Sequence, residues 1–192
     1  MVETALHRRD VVAQLLAADG EVIAVSGLGS STWDLHAAGD RERNFYLWGA
    51  MGSAALIGLG FALARPDEKV LVITGDGEQL MGTGGLATIG VQNPANLSIV
   101  MLDNGHFGET GMQRSHTSLG VDLVGIAAAS GIARTEKIGN QQQLETFKAD
   151  MFDPRGTSFA SVRVIAENYE RSMPTLDGNF LKNRIRETLN CS

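Results

Sequence analysis

Two apolar runs in this chain, residues 69–75 (KVLVITG) and 97–103 (LSIVMLD), each end in an acidic, glycine-containing turn. The turns are Gly75, Asp76, Gly77 after the first run and Asp103, Asn104, Gly105 after the second. No other feature constrains the fold as strongly. Runs this rich in β-branched and apolar residues, without alternation, suit strands buried on both faces of a parallel sheet. Parallel neighbours need a crossover, and 84–92 (GGLATIGVQ) between them reads as its helix. The pattern continues on either side. Residues 7–18 read as an amphipathic helix, 21–27 (EVIAVSG) as a buried strand, and 49–64 (GAMGSAALIGLGFALA) as an apolar, small-residue helix packed on both sides. Downstream come a helix over 121–131, a short strand over 133–139, a helix opened by Asn140, a strand over 157–165, and a closing helix over 177–189 after Pro174. This alternation, without repeats or low-complexity linkers, predicts an α/β chain with a parallel sheet covered by helices. Ligands of such open sheets sit at the carboxyl ends of the strands. Three glycine-rich turns fall there, at 27–31, 75–77 and 104–108.

Size and charge narrow the function. At 192 residues and 43% hydrophobic, the chain suits one domain, 1–192, with a core of its own. A formal charge of −6 and a pI near 5.2, with no run of Lys or Arg, argue against a nucleic-acid partner. The only cysteine is Cys191, so neither a disulfide framework nor a cysteine-based metal site is expected. The opening stretch carries charges throughout and lacks the apolar core of a signal peptide. No run is long and apolar enough for a bilayer, so no membrane partner and a cytoplasmic location are expected.

Chemistry enters at the turns. Asp76, between glycines that permit close backbone approach, can offer a carboxylate oxygen to a hard cation, and Asn104 an amide oxygen from the next strand. Mg²⁺ takes about six oxygens at roughly 2.0–2.1 Å and keeps only one or two protein carboxylates, substrate phosphates completing the shell. Taken singly, each turn is equally an ordinary connection, Gly-Asp-Gly a tight turn and Asp-Asn-Gly a hairpin signal.

The spacing adds weight. Between Gly77 and Asn104 lie 26 positions, read as one helix and one strand. This resembles the thiamine diphosphate motif, which opens with Gly-Asp-Gly and closes with Asn about that far downstream, and the chain resembles the diphosphate-binding domain of thiamine diphosphate-dependent 2-oxo acid decarboxylases. The resemblance implies a three-layer fold with a mostly parallel six-stranded sheet and helices on both faces. It implies Mg²⁺ held by Asp76, Asn104 and the main-chain carbonyl of His106, with Gly75, Phe107 and Gly108 completing the turns around the cofactor. The N–H groups of Gly77 and Glu78, at a helix start, would cradle the diphosphate. Upstream, Gly49, Ala50, Met51 and Gly52 match the stretch that touches the aminopyrimidine. The Gly49 carbonyl and Met51 N–H would bond its edge, and the Met51 side chain would wedge the cofactor into its bent form, although a Met is more often plain core filling. Leu28, Gly29, Ser30 and Ser31 match the first phosphate turn.

Within that family, 86–117 looks most like the sulfopyruvate and phosphonopyruvate decarboxylases, through the Ala-Thr-Ile-Gly helix and Thr110, Gly111, Met112, Gln113. These enzymes also use a pyrimidine-binding domain that contributes a catalytic glutamate. None fits in this chain, so a separately encoded partner is expected to supply it, in an α₂β₂-type assembly acting on a small 2-oxo acid. Three other readings stay open: a carboligase subunit of acetolactate synthase type, a non-catalytic cofactor-binding module, and a flavodoxin-like nucleotide-binding domain. Glu78 departs from the pattern, because a carboxylate beside a diphosphate repels it unless the side chain turns away or meets a cation. His106, Arg114 and His116 cluster on a loop that is either a solvated surface or part of a substrate pocket.

Overall fold

The computed structural model describes residues 6–190; Cys191 lies outside them. Strands β1 (Ile23–Ser26), β2 (Asn44–Tyr46), β3 (Val70–Gly75) and β4 (Leu97–Asp103) are followed by a small antiparallel hairpin of β5 (His106–Phe107) and β6 (Gln113–Arg114), then by β7 (Arg134–Ile138) and β8 (Ser158–Arg163). Six of these form one sheet in the order β2-β1-β3-β4-β8-β7, with every neighbouring pair parallel. The chain moves outward from β1 to β2, then returns to lay β3 on the other side of β1. The carboxyl ends of β1 and β3 therefore flank a topological switch point, where such sheets open a crevice.

Helices α1 (Arg8–Ala18), α2 (Ser30–Ala37) and α7 (Gln141–Ala149) cover one face. Helices α3 (Ala54–Ala64), α5 (Gly85–Gln92) and α6 (Leu123–Ala129) cover the other. Successive strand residues feed alternate cores: Leu71 and Ile73 meet α1 and α2, whereas Val70 and Val72 meet α3 and α5. This two-sided burial is why the strands read as unbroken apolar runs, each fully buried Val, Leu or Ile contributing about 1.5–3 kcal/mol. Gly58 lets α3 lie against β3, since a Cβ there would stand 2.2 Å from Val72 Cγ2. The last helix, α8 (Gly178–Thr188), wraps the β2 edge, placing Leu181 in one core and Ile185 in the other. Its Arg184 donates to the Asn44 carbonyl at 2.8 Å, which covers part of the open edge.

Three readings need correction. The helix expected over 49–64 begins only at Ala54, because Ala50 (φ 53°) and Gly52 (φ 87°) turn the chain before it. It is not packed on both sides within this chain: Leu56 and Leu63 stand 39% and 49% exposed. The turn expected at 27–31 ends at Gly29, and Ser30 and Ser31 open α2. A short helix between β3 and α5, α4 (Asp76–Met81), holds Gly77 and Glu78 in its first turn, at a helix start as expected. No helix among the described residues is long and apolar enough to cross a membrane.

Candidate functional site

The carboxyl ends of β1, β3 and β4 meet around one cavity of about 130 Å³, smaller than the roughly 300–1,000 Å³ of a complete small-molecule site. Two helices begin at its wall, and both begin behind glycine: α2 after Gly29 (φ 85°) and α4 after Gly75. Neither has a side-chain cap. The first-turn amides of a helix lack intrahelical partners, so those of Ser30 and Ser31, and of Gly77 and Glu78, are donors available to an anion.

Asp76 sits between these helix starts, 2% exposed. Its Oδ2 accepts from the hydroxyls of Ser115 and, at 3.1 Å, Thr117. Its Oδ1 makes no hydrogen bond to another of the described residues. Burial pushes the Asp76 carboxyl above its ordinary range, and the nearby Asp103 charge pushes the same way, against the pull of the two hydroxyls. A cation at Oδ1 would reverse that balance. Asp103 is occupied structurally: its Oδ1 shares the single Thr117 hydroxyl proton with Asp76, at 2.8 Å, and accepts from the Gly105 amide at 3.0 Å and Arg163 at 3.3 Å. Asn104 folds into a turn in which Oδ1 accepts from the His106 amide at 2.8 Å, leaving that oxygen's second lone pair open. The donor set here is one carboxylate, one amide oxygen and main-chain carbonyls, the hard, oxygen-only kind that suits Mg²⁺. No group of three His, Cys, Asp or Glu side chains fit to hold a metal occurs among the described residues.

Leu28, Ser30 and Ser31 line the cavity, as do Gly75, Asp76, Gly77 and Glu78. The third turn contributes Asn104, His106, Phe107 and Gly108. Gly77 has to be small because a Cβ there would lie 2.7 Å from the Phe107 ring. Gly29 faces Glu109 instead, and Gly49 and Ala50 do not line the wall. Met51 reaches the cavity mouth and is 56% exposed, so it is not core filling in this chain. Its turn rests on the end of α4, where a Cβ on Gly82 would stand 1.9 Å from the Gly52 carbonyl.

Glu78 is accommodated rather than repelled. Its Oε2 accepts from Thr74 Oγ1 at 2.8 Å, and the carboxylate occupies the space a Cβ on Gly27 would need. Its Oε1 is buried without a hydrogen-bond partner. Burial pushes this carboxyl up as well, against the Thr74 hydroxyl, which favours its uncharged form. The loop cluster separates: the His106 ring bonds the Asn104 carbonyl at 2.8 Å, Arg114 bonds Ser118, and His116 meets the Phe107 ring edge-on. Of the three, only His106 lines the cavity. Ser115, Thr117 and Arg8 were not expected from the sequence. Each arrives by tertiary approach, and no local pattern marks them.

Residues 27–162 match the family described as thiamine pyrophosphate enzyme, C-terminal TPP binding domain, and the chain belongs to that family. It is similar to the sulfopyruvate decarboxylase subunit beta of Methanocaldococcus jannaschii, 44% identical over 126 residues, 65% of this chain and 66% of that protein. It is also similar to the phosphonopyruvate decarboxylase of Streptomyces viridochromogenes, 48% identical over 111 residues, 58% of this chain and 28% of that enzyme. The matched stretch is thus just under two thirds of the first relative and under a third of the second. Among solved structures, benzoylformate decarboxylase from Polynucleobacter necessarius shares the fold, with a TM-score of 0.70 at 21% identity over 85% of this chain and 34% of that one. Membership of the family sets aside the flavodoxin-like reading.

Proposed function

We propose that this chain, as a single domain over 1–192, is the diphosphate- and Mg²⁺-binding subunit of a two-chain, thiamine diphosphate-dependent decarboxylase of a small 2-oxo acid bearing a sulfonate or phosphonate. One observation carries the reading: a buried Asp76 with one oxygen pinned and the other free, between two uncapped helix starts. The names of the β-subunit and phosphonopyruvate relatives support the substrate class. Asp76, Asn104 and the His106 carbonyl hold the metal, and the amides at 30–31 and 77–78 hold the phosphates. The Gly49 carbonyl and Met51 amide meet the pyrimidine edge, and the Met51 side chain bends the cofactor. When bound, the cofactor supplies the carbon that adds to the 2-oxo group and takes up the electrons left as carbon dioxide departs.

The partner, a separately encoded pyrimidine-binding chain with the catalytic glutamate, completes the site in an α₂β₂-type assembly in the cytoplasm. Its landing surface is apolar at the cavity wall, where Met51 and Met81 stand 56% and 59% exposed, and Leu56, in the first turn of α3, adds an apolar side chain 39% exposed. Co-expression with that partner and a screen of 2-oxo acids for carbon dioxide release tests the reading. Release by the pair and silence from this chain alone is the expected result. Carbon dioxide release accompanied by a condensation product in place of the free aldehyde would make it a carboligase subunit, and turnover by the homogeneous chain would overturn the two-chain model.

A further inference from the structure

Arg8, the first residue of α1, is 5% exposed, yet of the N–H groups its guanidinium carries only Nη1 has a partner among the described residues, Asp34 Oδ2 at 2.7 Å. Its Nε is buried and unpaired. Asp34, fully buried, gives its other oxygen to Arg9 Nε at 3.1 Å, and Arg9 spends Nη2 on the Glu170 carbonyl at 2.6 Å. One buried carboxylate therefore serves two guanidiniums and leaves the cluster net positive. The Tyr169 ring covers both cations, with its centroid 4.9 Å from Arg8 and 4.6 Å from Arg9. What Arg8 still faces is the cavity. It lines that wall with Ser30, Asn104 and Gly108, and it also lines an adjoining recess with Trp33 and Arg171.

A buried guanidinium with unmet donors is costly unless an anion meets them, and its planar fork fits a phosphate well. The carboxylates nearby do not meet that need. Glu167 is held by His7 at 2.9 Å and by the Tyr169 hydroxyl at 2.6 Å. Glu109 comes no closer to a cation than 3.9 Å, from Arg171, and has no hydrogen bond. We infer that Arg8 is a direct ligand of the outer phosphate of the bound diphosphate, donating from the guanidinium face that Asp34 leaves free. The inference rests on the proposed diphosphate site and adds to it a side-chain cation that no motif in the sequence marks. Asp34 is then a positioning residue, holding the guanidinium toward the cavity, and Glu109 an opposing charge at its rim.

The test uses the chain itself, titrated calorimetrically with inorganic diphosphate in the presence of Mg²⁺, with thermal unfolding followed for every variant. Arg8→Met is expected to weaken binding about 10- to 100-fold. Arg8→Lys, which keeps a charge beside Asp34 but loses the fork, should weaken it by a smaller factor. Glu109→Gln should tighten it. Asp34→Asn separates this role from a purely structural one: it breaks the ion pair but keeps Arg8, and should retain more affinity than Arg8→Met. Diphosphate affinity unchanged in both Arg8 variants would overturn the assignment, and is also the result expected if Arg8 instead held the acidic head group of the substrate. Failure of the parent chain to bind diphosphate with Mg²⁺ would overturn it together with the site on which it rests.

Discussion

The carboxyl end of the sheet has two halves, and they treat their helix starts in opposite ways. At β1 and β3, α2 and α4 begin behind Gly29 and Gly75 with no side-chain cap. At β4 and β7, α6 and α7 begin behind Asp122 and Asn140, whose side chains accept from the Gly125 and Gln143 amides. Charges follow the same division. Lys137 pairs with Asp122 at 2.8 Å and Arg163 with Asp103 at 3.3 Å, whereas Arg8, Asp76 and Glu78 keep donors or acceptors unmet around the cavity. One half closes its own polar accounts and is structural. The other leaves donors and two carboxylate oxygens open, an arrangement that a bound ligand would stabilise.

The largest effect that separates the halves is expected at Asp76. Asp76→Ala removes the one carboxylate of the donor set, so thiamine diphosphate affinity of the assembled protein in Mg²⁺ should fall by more than about 100-fold. Calorimetry reads this directly, and parent-like affinity would erase the distinction between the halves. Next comes Asn140→Ala on the closed half. It should cost about 1 kcal/mol, the usual value of a lost N-cap, lowering the unfolding midpoint by about 2–4 °C for a chain of this size. Cofactor affinity should not change.

The smallest expected effect is a pH dependence at Glu78. Burial raises its folded-state pKa above the ordinary value of 4.5, so the folded chain keeps this proton to higher pH than the unfolded chain does. That favours folding at low pH, and the advantage is lost as pH rises through the folded value. Glu78→Gln should therefore gain in unfolding midpoint relative to the parent as pH rises above the ordinary value of 4.5. A constant difference across that range would mean that the buried carboxyl titrates normally.

Much of this was legible in the sequence where one cause dominated. β1, β3 and β4 show as apolar runs because both faces are buried, and Asn140 announces α7 because an N-cap is a local device. β2 is three residues long at an edge and includes a buried Asn44 bonded to Tyr46, so no run marks it. α2 hid because its inward face carries Asp34, a polar residue made tolerable only by Arg8 and Arg9 from another helix. The turns proposed to hold metal and phosphate stood out because a fixed spacing ties Asp76 to Asn104. Ser115, Thr117 and Arg8 were not, since the first two reach Asp76 across 39 and 41 positions and Arg8 reaches the cavity from the start of the chain.

Amide hydrogen exchange on the assembled protein, with and without thiamine diphosphate and Mg²⁺, tests the central claim most directly because it reads both halves at once. New protection is predicted at the starts of α2 and α4, at Ser30, Ser31, Gly77 and Glu78, with none at Gly125 and Gln143. Protection gained at the α6 and α7 starts instead, or no change at α2 and α4 when the cofactor is bound, would contradict the account.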